Sequence, residues 1–187
     1  MEGINEDARF PHTYDYMLLR ERPGSPVLTY FYPGARTDGG RDGVLIRFNM
    51  PGSRPWIGVF ASGTIPSGTS GVYTHPDARC VCVVSRGDGY IVHVDEPTQW
   101  TDVQAHPIFD VVSVPAHGIL VFVTYTDLIA YDANGPVWQT ERLSLDELHI
   151  TGAQGDYIYA RANRIDGDDI TVTVNAKTGK ADILHPW

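Results

Sequence analysis

Runs of β-branched and aromatic residues recur along the whole chain, and clusters of Gly, Pro, Asn and Asp separate them. Both features are typical of β-strands joined by turns. The runs predict strands at residues 27–32, 44–49, 56–61, 79–85, 90–95, 110–114, 119–125, 128–132, 137–142, 149–151, 157–162, 170–175 and 181–184.

The links between these runs are short and carry turn-forming residues, as at 86–89, 133–136 and 177–180. Such residues favour hairpins. Helix signals are few: Ser144 and Glu147 have the spacing of a capping box, which predicts a single helical turn there. Residues 14–22 fit either a short helix or a strand. The pattern therefore predicts an all-β fold.

A faint repeat relates successive pairs of predicted strands. The pairs are 80–84 with 90–95, 119–123 with 128–132, and 157–160 with 170–175. Equivalent points recur about every 40 residues, a period typical of propeller blades. We expect antiparallel meanders of about 40-residue units that form a sandwich, an open barrel or a small propeller-like structure. We also expect a single domain over residues 1–187, with 1–26 as an N-terminal arm.

Two segments carry a more specific signal. Residues 128–138 read as an apolar strand, an Ala-x-Asp step, a Gly turn and a strand that ends in Trp138. Residues 170–180 include the turn Asn175-Ala176-Lys177-Thr178-Gly179-Lys180. Together they resemble the blade repeats of quinoprotein-like β-propellers, over about half the chain. The resemblance implies a fold, since in that family these residues build blades and are not catalytic.

The charge balance restricts the class of partner. The chain has a formal net charge of −9 and a pI near 5.1. Nucleic acids and anionic membranes bind positively charged surfaces, so neither is an expected partner. An acidic surface suits another protein, in particular a basic one. The sequence does not predict an oligomeric state.

The two cysteines, Cys80 and Cys82, lie two residues apart in a predicted strand. Their Cα atoms would be roughly 6.6 Å apart, at the far edge of disulfide geometry. Two reduced thiols indicate a reducing compartment. The acidic N-terminus has no apolar run typical of a signal peptide, so we expect a cytoplasmic protein.

Common catalytic motifs are missing: the sequence has no Gly-x-Ser-x-Gly elbow, no P-loop, no His-Glu-x-x-His and no dinucleotide fingerprint. Candidates for catalysis are therefore isolated side chains: His75, His93, His106 and Asp95, with Asp77 as a further carboxylate. His-Pro steps at His75 and His106 are also typical of strand entry. The mid-strand cysteine pair lacks the turn and second pair of a zinc site, so we expect no metal. We also expect no organic cofactor, because the sequence has no cofactor-binding motif.

Two stretches are predicted to be long loops, residues 34–43 and 62–71. Long loops often carry binding residues. Arg36, Asp38 and Arg41 in the first loop are candidates for binding a partner or an anion, although neighbouring carboxylates also allow local pairing.

Three functional hypotheses follow. The first is a non-catalytic protein-binding module, in concrete form a bacterial immunity or adaptor protein. The second is a small hydrolase or small-ligand binder with a pocket of His and Asp side chains, which requires two of them to converge within hydrogen-bond reach. The third is a structural subunit of a larger assembly, which would leave an apolar patch or strand edge exposed.

Overall fold

The chain divides into two compact units, Met1–His106 and Pro107–Trp187. The structure is a computed structural model that describes residues 3–24, 26–33, 35, 42–163 and 169–183. Within these ranges no helix has the length and hydropathy needed to cross a bilayer. The expectation of one domain with an N-terminal arm at 1–26 stays a prediction.

The first unit contains two sheets. Its strands are β1 (Asn5–Asp7), β2 (Asp15–Leu18), β3 (Leu28–Phe31), β4 (Asp42–Asn49), β5 (Trp56–Ala61), β6 (Gly71–Thr74), β7 (Cys80–Ser85), β8 (Asp88–His93) and β9 (Trp100–Asp102). Sheet I has the strand order β1-β6-β7-β8-β9, and sheet II has the order β2-β4-β5-β3.

The second unit contains two further sheets, each a simple four-stranded meander. Its strands are β10 (Asp110–Val114), β11 (Ile119–Val123), β12 (Leu128–Asp132), β13 (Gly135–Gln139), β14 (Leu148–Gln154), β15 (Tyr157–Asn163), β16 (Asp169–Asn175) and β17 (Ala181–Ile183). Sheet III is β10-β11-β12-β13 and sheet IV is β14-β15-β16-β17. A 3₁₀ turn, Pro115–His117, joins β10 to β11.

The predicted all-β meander is confirmed. All three predicted strand pairs form antiparallel hairpins, namely β7–β8, β11–β12 and β15–β16. Sheets III and IV begin at Asp110 and Leu148, close to the predicted spacing of about 40 residues,. The four-stranded up-and-down sheet is also the unit from which propeller blades are built.

Two pairings are parallel and were not predicted. β1 pairs with β6 and β3 pairs with β5, and in each pair the two strands run in the same direction. The segment 14–22, which the sequence left undecided, contains strand β2 at the edge of sheet II.

The predicted helical turn at residues 144–147 is wrong. The hydroxyl of Ser144 donates to the carbonyl of Glu147 at 2.7 Å and accepts the backbone N–H of Asn163 at 2.9 Å. Its side chain therefore fixes the approach to β14 against the end of β15 instead of capping a helix.

The core of the first unit lies between sheets I and II. Sheet I contributes residues such as Val81, Val83 and Val92, and sheet II contributes Phe48 and Trp56. The Trp56 ring stacks on Phe48 with ring centroids 4.4 Å apart. Its indole N–H donates to the carbonyl of Val94, after β8, at 3.0 Å. The indole is thus both a core residue and a hydrogen-bonded link between the sheets.

The core of the second unit lies between sheets III and IV, with Val121 and Ala130 on one side and Ile158 and Val172 on the other. Trp138 of β13 spans the two sheets. Its indole N–H donates to the carbonyl of Ala176, after β16, at 2.9 Å. Its ring also lies against Gly179, where a Cβ atom would come within 2.8 Å of the indole.

Gly179→Ala should destabilise the chain by about 2–5 kcal/mol. The residue has φ +70°, where an L side chain costs about 1–2 kcal/mol,. The new methyl would also displace the Trp138 ring, and overpacking costs about 1–3 kcal/mol. Urea unfolding followed by circular dichroism measures the change.

Gly155→Ala is the matched control, since Gly155 has φ +58° and a new methyl group there would meet no neighbouring side chain or backbone within 4 Å. The free energy of unfolding should fall only by the cost of the left-handed backbone conformation, about 1–2 kcal/mol. Equal losses in the two variants would contradict the close contact between Gly179 and Trp138.

Candidate functional site

The strand register of sheet I places several predicted site residues at one end of that sheet. His75 directly follows β6, Cys80 begins β7 and His93 ends β8, and Cys80 lies opposite His93 in the ladder. Asp95 follows in the next segment and is exposed. His106 is elsewhere: its imidazole lies 3.7 Å from Asp88, which begins β8 at the opposite end of the sheet.

The contacts of these groups are mostly local. His75 is 2% exposed, and its Nδ1 accepts the backbone N–H of Asp77 at 3.1 Å. The carboxylate of Asp77 accepts the backbone N–H of Arg79, which together with the Arg79 guanidinium lowers the pKa of Asp77. The Nδ1 atom of His93 is shielded and has no hydrogen-bond partner within the described ranges. The convergence with Asp95 that a hydrolase requires stays a hypothesis.

The thiol chemistry at this end of the sheet is unfavourable to a nucleophile. Both cysteines are free. Burial raises the pKa of Cys80 to about 11, and the negative charges of Asp77 and Asp95 add to the increase. Burial also raises the pKa of the fully buried Cys82. Both thiols are therefore protonated near neutral pH, whereas the thiolate is the reactive and metal-binding form.

The described residues do not form a metal-binding cluster. Among the residues that the structure describes, no group of three His, Cys, Asp or Glu side chains is placed to hold a metal ion. The other predicted binding residues, Arg36, Asp38 and Arg41, lie outside the described residues.

The second predicted loop is fastened along its length. Residues 62–70 carry no strand, as predicted, while Gly71 begins β6. Gly63 donates its backbone N–H to the carbonyl of Ser85 at 2.9 Å, and Gly87 donates to the carbonyl of Thr69 at 2.9 Å. The loop is therefore held against the β7–β8 turn.

One described surface with the features of a docking site is the outer face of sheet IV. Along β15 and β16 the side chains alternate strictly: Ile158, Ala160, Val172 and Val174 enter the core of the second unit. The residues between them point the other way, because successive side chains in a strand face opposite sides. We call this outward set the outer face; it comprises Tyr157, Tyr159, Arg161, Thr171, Thr173, Asn175, His149 and Asp182.

The ladder arranges this face in rows. Tyr157 lies opposite Asn175, Tyr159 lies opposite Thr173, and Arg161 lies opposite Thr171. Tyr157 is 46% exposed. Arg161 and Thr171 are also exposed. The result is a sheet surface that combines aromatic and polar side chains.

Such a surface is suited to recognising protein. Tyrosine offers a large, rigid contact area with a polar end, and tyrosine and arginine are enriched at interfaces. The nearest charges are mixed: the Arg161 guanidinium lies 3.9 Å from the carboxylate of Asp169, and both side chains are exposed. This ion pair contributes little to stability because water screens it, so both partners are available to a bound molecule.

The sequence contained a signal for this face. Tyr157 to Ala162 and Ile170 to Asn175 alternate between small or apolar and polar or aromatic residues. That alternation predicts strands with one buried side. It does not say which side is buried, since tyrosine occurs in cores as well. The N-terminal aromatic residues illustrate this point, because Tyr14 and Tyr32 are 3% and 1% exposed.

Neither a protein-family model nor a curated protein matches this sequence. Among solved structures, the N-terminal domain of Nup159 aligns with 99% of this chain at 12% identity and a TM-score of 0.46. A chain in the S. cerevisiae complex of Dbp5 with Nup159, Gle1, IP6 and ADP aligns with 96% at 11% identity and a TM-score of 0.46. A prolyl endopeptidase aligns with 91% at 13% identity and a TM-score of 0.37.

This chain spans only part of each of these structures, namely 54%, 53% and 32% of their lengths. All three TM-scores are below 0.5, so no function is inferred from them.

Alkylation of Cys80 by iodoacetamide should accelerate about tenfold per pH unit between about pH 7.5 and 10. The thiolate fraction is still growing there because the pKa of Cys80 is raised to about 11,. An ordinary thiol would level off near pH 9. Mass spectrometry of Cys82→Ser isolates the rate at Cys80.

Circular dichroism at each pH verifies that the chain stays folded. A rate at Cys80 that reaches its plateau by about pH 9 would contradict the half-buried environment of this thiol.

Proposed function

We propose that this protein is a non-catalytic protein-binding module that engages its partner through the outer face of sheet IV. The observation that carries the proposal is the exposure of Tyr157 beside Tyr159 and Arg161 on one face of β15. An adaptor or immunity role is its concrete form, in which the complex itself is the function and no chemical step is needed.

The architecture of sheet IV supports this role. Its inner face is buried against sheet III, and Ile158, Ala160 and Val172 are fully buried there. The outward residues of β15 and β16 therefore belong to a rigid sheet. Rigid presentation limits the conformational entropy that is lost when the side chains are immobilised in a complex.

Charge supports a basic partner. Residues 107–187 contain eleven Asp and Glu against five Lys and Arg, while residues 1–106 contain twelve against nine. The negative charge is therefore concentrated in the unit that carries the outer face. Opposite charge on the partner would accelerate association and favour the correct partner over acidic proteins.

The free thiols support a reducing compartment as the place of action. Cys80 and Cys82 are unpaired with each other; Cys82 is buried and Cys80 is half-buried. We propose the cytoplasm, where thiols stay reduced.

Tyr157→Ser should abolish most partner binding, weakening it at least about tenfold if Tyr157 is an energetic centre of the interface. The folded chain should lose no more than about 1 kcal/mol, because the side chain is largely exposed. The measurement is affinity capture with tagged chain from a lysate of the source organism, quantified by mass spectrometry.

Tyr125→Ser is the control, since Tyr125 is 42% exposed but lies in the β11–β12 turn, outside the outer face. It should retain every partner that the unsubstituted chain captures. Capture of no protein by the unsubstituted chain, or equal capture by both variants, would contradict the proposal.

The association rate with the captured partner should fall at least about threefold between about 30 and 300 mM NaCl. Salt screens the attraction between an acidic surface and a basic partner. Stopped-flow or surface plasmon resonance measures this rate. A rate that is independent of salt, or that rises with salt, would contradict the basic character of the partner.

A further inference from the structure

A separate cleft opens at the inner side of sheet IV. It has a volume of about 470 Å³ and lies between the segment that follows β13 and the turn that joins β16 to β17. Its lining includes Val172 and Ala181, which belong to the inner side of the sheet and contact the core of the second unit. The cleft and the outer face therefore lie on opposite sides of the same sheet.

The base of the cleft is apolar. Val172 is fully buried, and Leu143 and Ala181 are partly buried against the same core. Leu143 and Ala181 therefore provide a hydrophobic wall that is continuous with the core. The volume lies within the range of sites for small molecules, about 300–1,000 Å³.

The rim of the cleft carries a fixed guanidinium. Arg142 donates from Nε to the carbonyl of Ser144 at 2.9 Å and from Nη2 to the carbonyl of Leu145 at 2.8 Å. These two bonds use two of its five N–H donors and hold the group in one orientation. A guanidinium fixed in this way is prepared to bind a carboxylate without losing much side-chain entropy.

Charge at the rim differs from charge in the rest of the unit. Arg142 and Lys180 both line the cleft, and they are two of the five basic residues in residues 107–187. Glu141 supplies one carboxylate at the same rim. The cleft therefore has an excess of positive charge within a unit that is acidic as a whole.

We propose that this cleft binds a small organic carboxylate with an apolar body. The carboxylate pairs with Arg142 and Lys180, and the apolar part packs on Leu143 and Ala181, which lie in front of the buried Val172. Inorganic phosphate would leave the apolar wall unused, and an aliphatic amine would meet two positive charges.

The first experiment is a titration of the ¹⁵N-labelled full chain with hexanoate as the probe. We expect saturable shifts of the amide signals of Thr178 and Gly179, which line the cleft. Hexylammonium and hexanol are the matched probes, because each keeps the chain length and removes the negative charge. Both should bind at least about fivefold more weakly than hexanoate.

Substitutions then test the charges. Lys180→Gln should weaken hexanoate binding about threefold to fivefold, as expected for an exposed charge pair. Arg142→Gln should weaken it about tenfold or more, and Glu141→Gln should strengthen it. Arg142 also supports the backbone at Ser144 and Leu145, so Arg142→Gln could lose binding by failing to fold. In that case the Lys180→Gln variant is the deciding test, because Lys180 is exposed.

Three results would overturn the proposal. The first is the absence of saturable shifts at Thr178 and Gly179 up to about 20 mM hexanoate. The second is equal binding of hexanoate, hexanol and hexylammonium, which would indicate a non-specific apolar contact. The third is unchanged hexanoate affinity in a folded Lys180→Gln chain. Each result leaves the proposal for the outer face untouched, because Tyr157 does not line the cleft.

Discussion

Each unit depends on a tryptophan that crosses from one sheet to the next. In the first unit the indole N–H of Trp56 donates to the carbonyl of Val94, and in the second Trp138 donates to the carbonyl of Ala176. Both bonds span 38 residues in sequence. The indole buries a large apolar area and satisfies a carbonyl that lies just beyond a strand, where the ladder has ended. Other directional contacts join the same sheets, such as the Tyr90 hydroxyl, which donates to the carbonyl of Ala61 at 3.1 Å, but the indole combines such a bond with a large apolar area,.

This contact also determines how the candidate surfaces are presented. Trp138 holds the end of β16 through Ala176 and packs on Gly179 in the following turn. The turn is therefore tied to sheet III, and β16 is fixed at the end where Asn175 lies opposite Tyr157. The same contact therefore holds the Asn175 end of the outer face in place. The cleft lies beside the same turn, so one partly buried interaction supports two surfaces with different chemistry.

Local features of the fold were predictable, and non-local ones were not. Hairpins such as β7–β8 follow from β-branched and aromatic runs on either side of a short turn,. The parallel pairing of Asn5 with Gly71 joins segments far apart in sequence, and nothing local specifies it. The capping-box pattern at Ser144 failed because its hydroxyl bonds to Glu147 and Asn163 instead. The outer face was not predicted because alternation at Tyr157 and Tyr159 leaves open which side sheet III covers. The histidines predicted as catalytic candidates all lie in the other unit.

The measurement that tests the binding account most directly is hydroxyl-radical footprinting of the chain in a lysate of its source organism, compared with the purified chain. The account predicts that oxidation of Tyr157 falls several-fold in the lysate, while oxidation of Tyr125 is unchanged. These two tyrosines are similarly exposed in the free chain, at 46% and 42%. Equal oxidation of Tyr157 in both samples, with the chain eluting as part of a complex, would contradict the outer face as the site of contact.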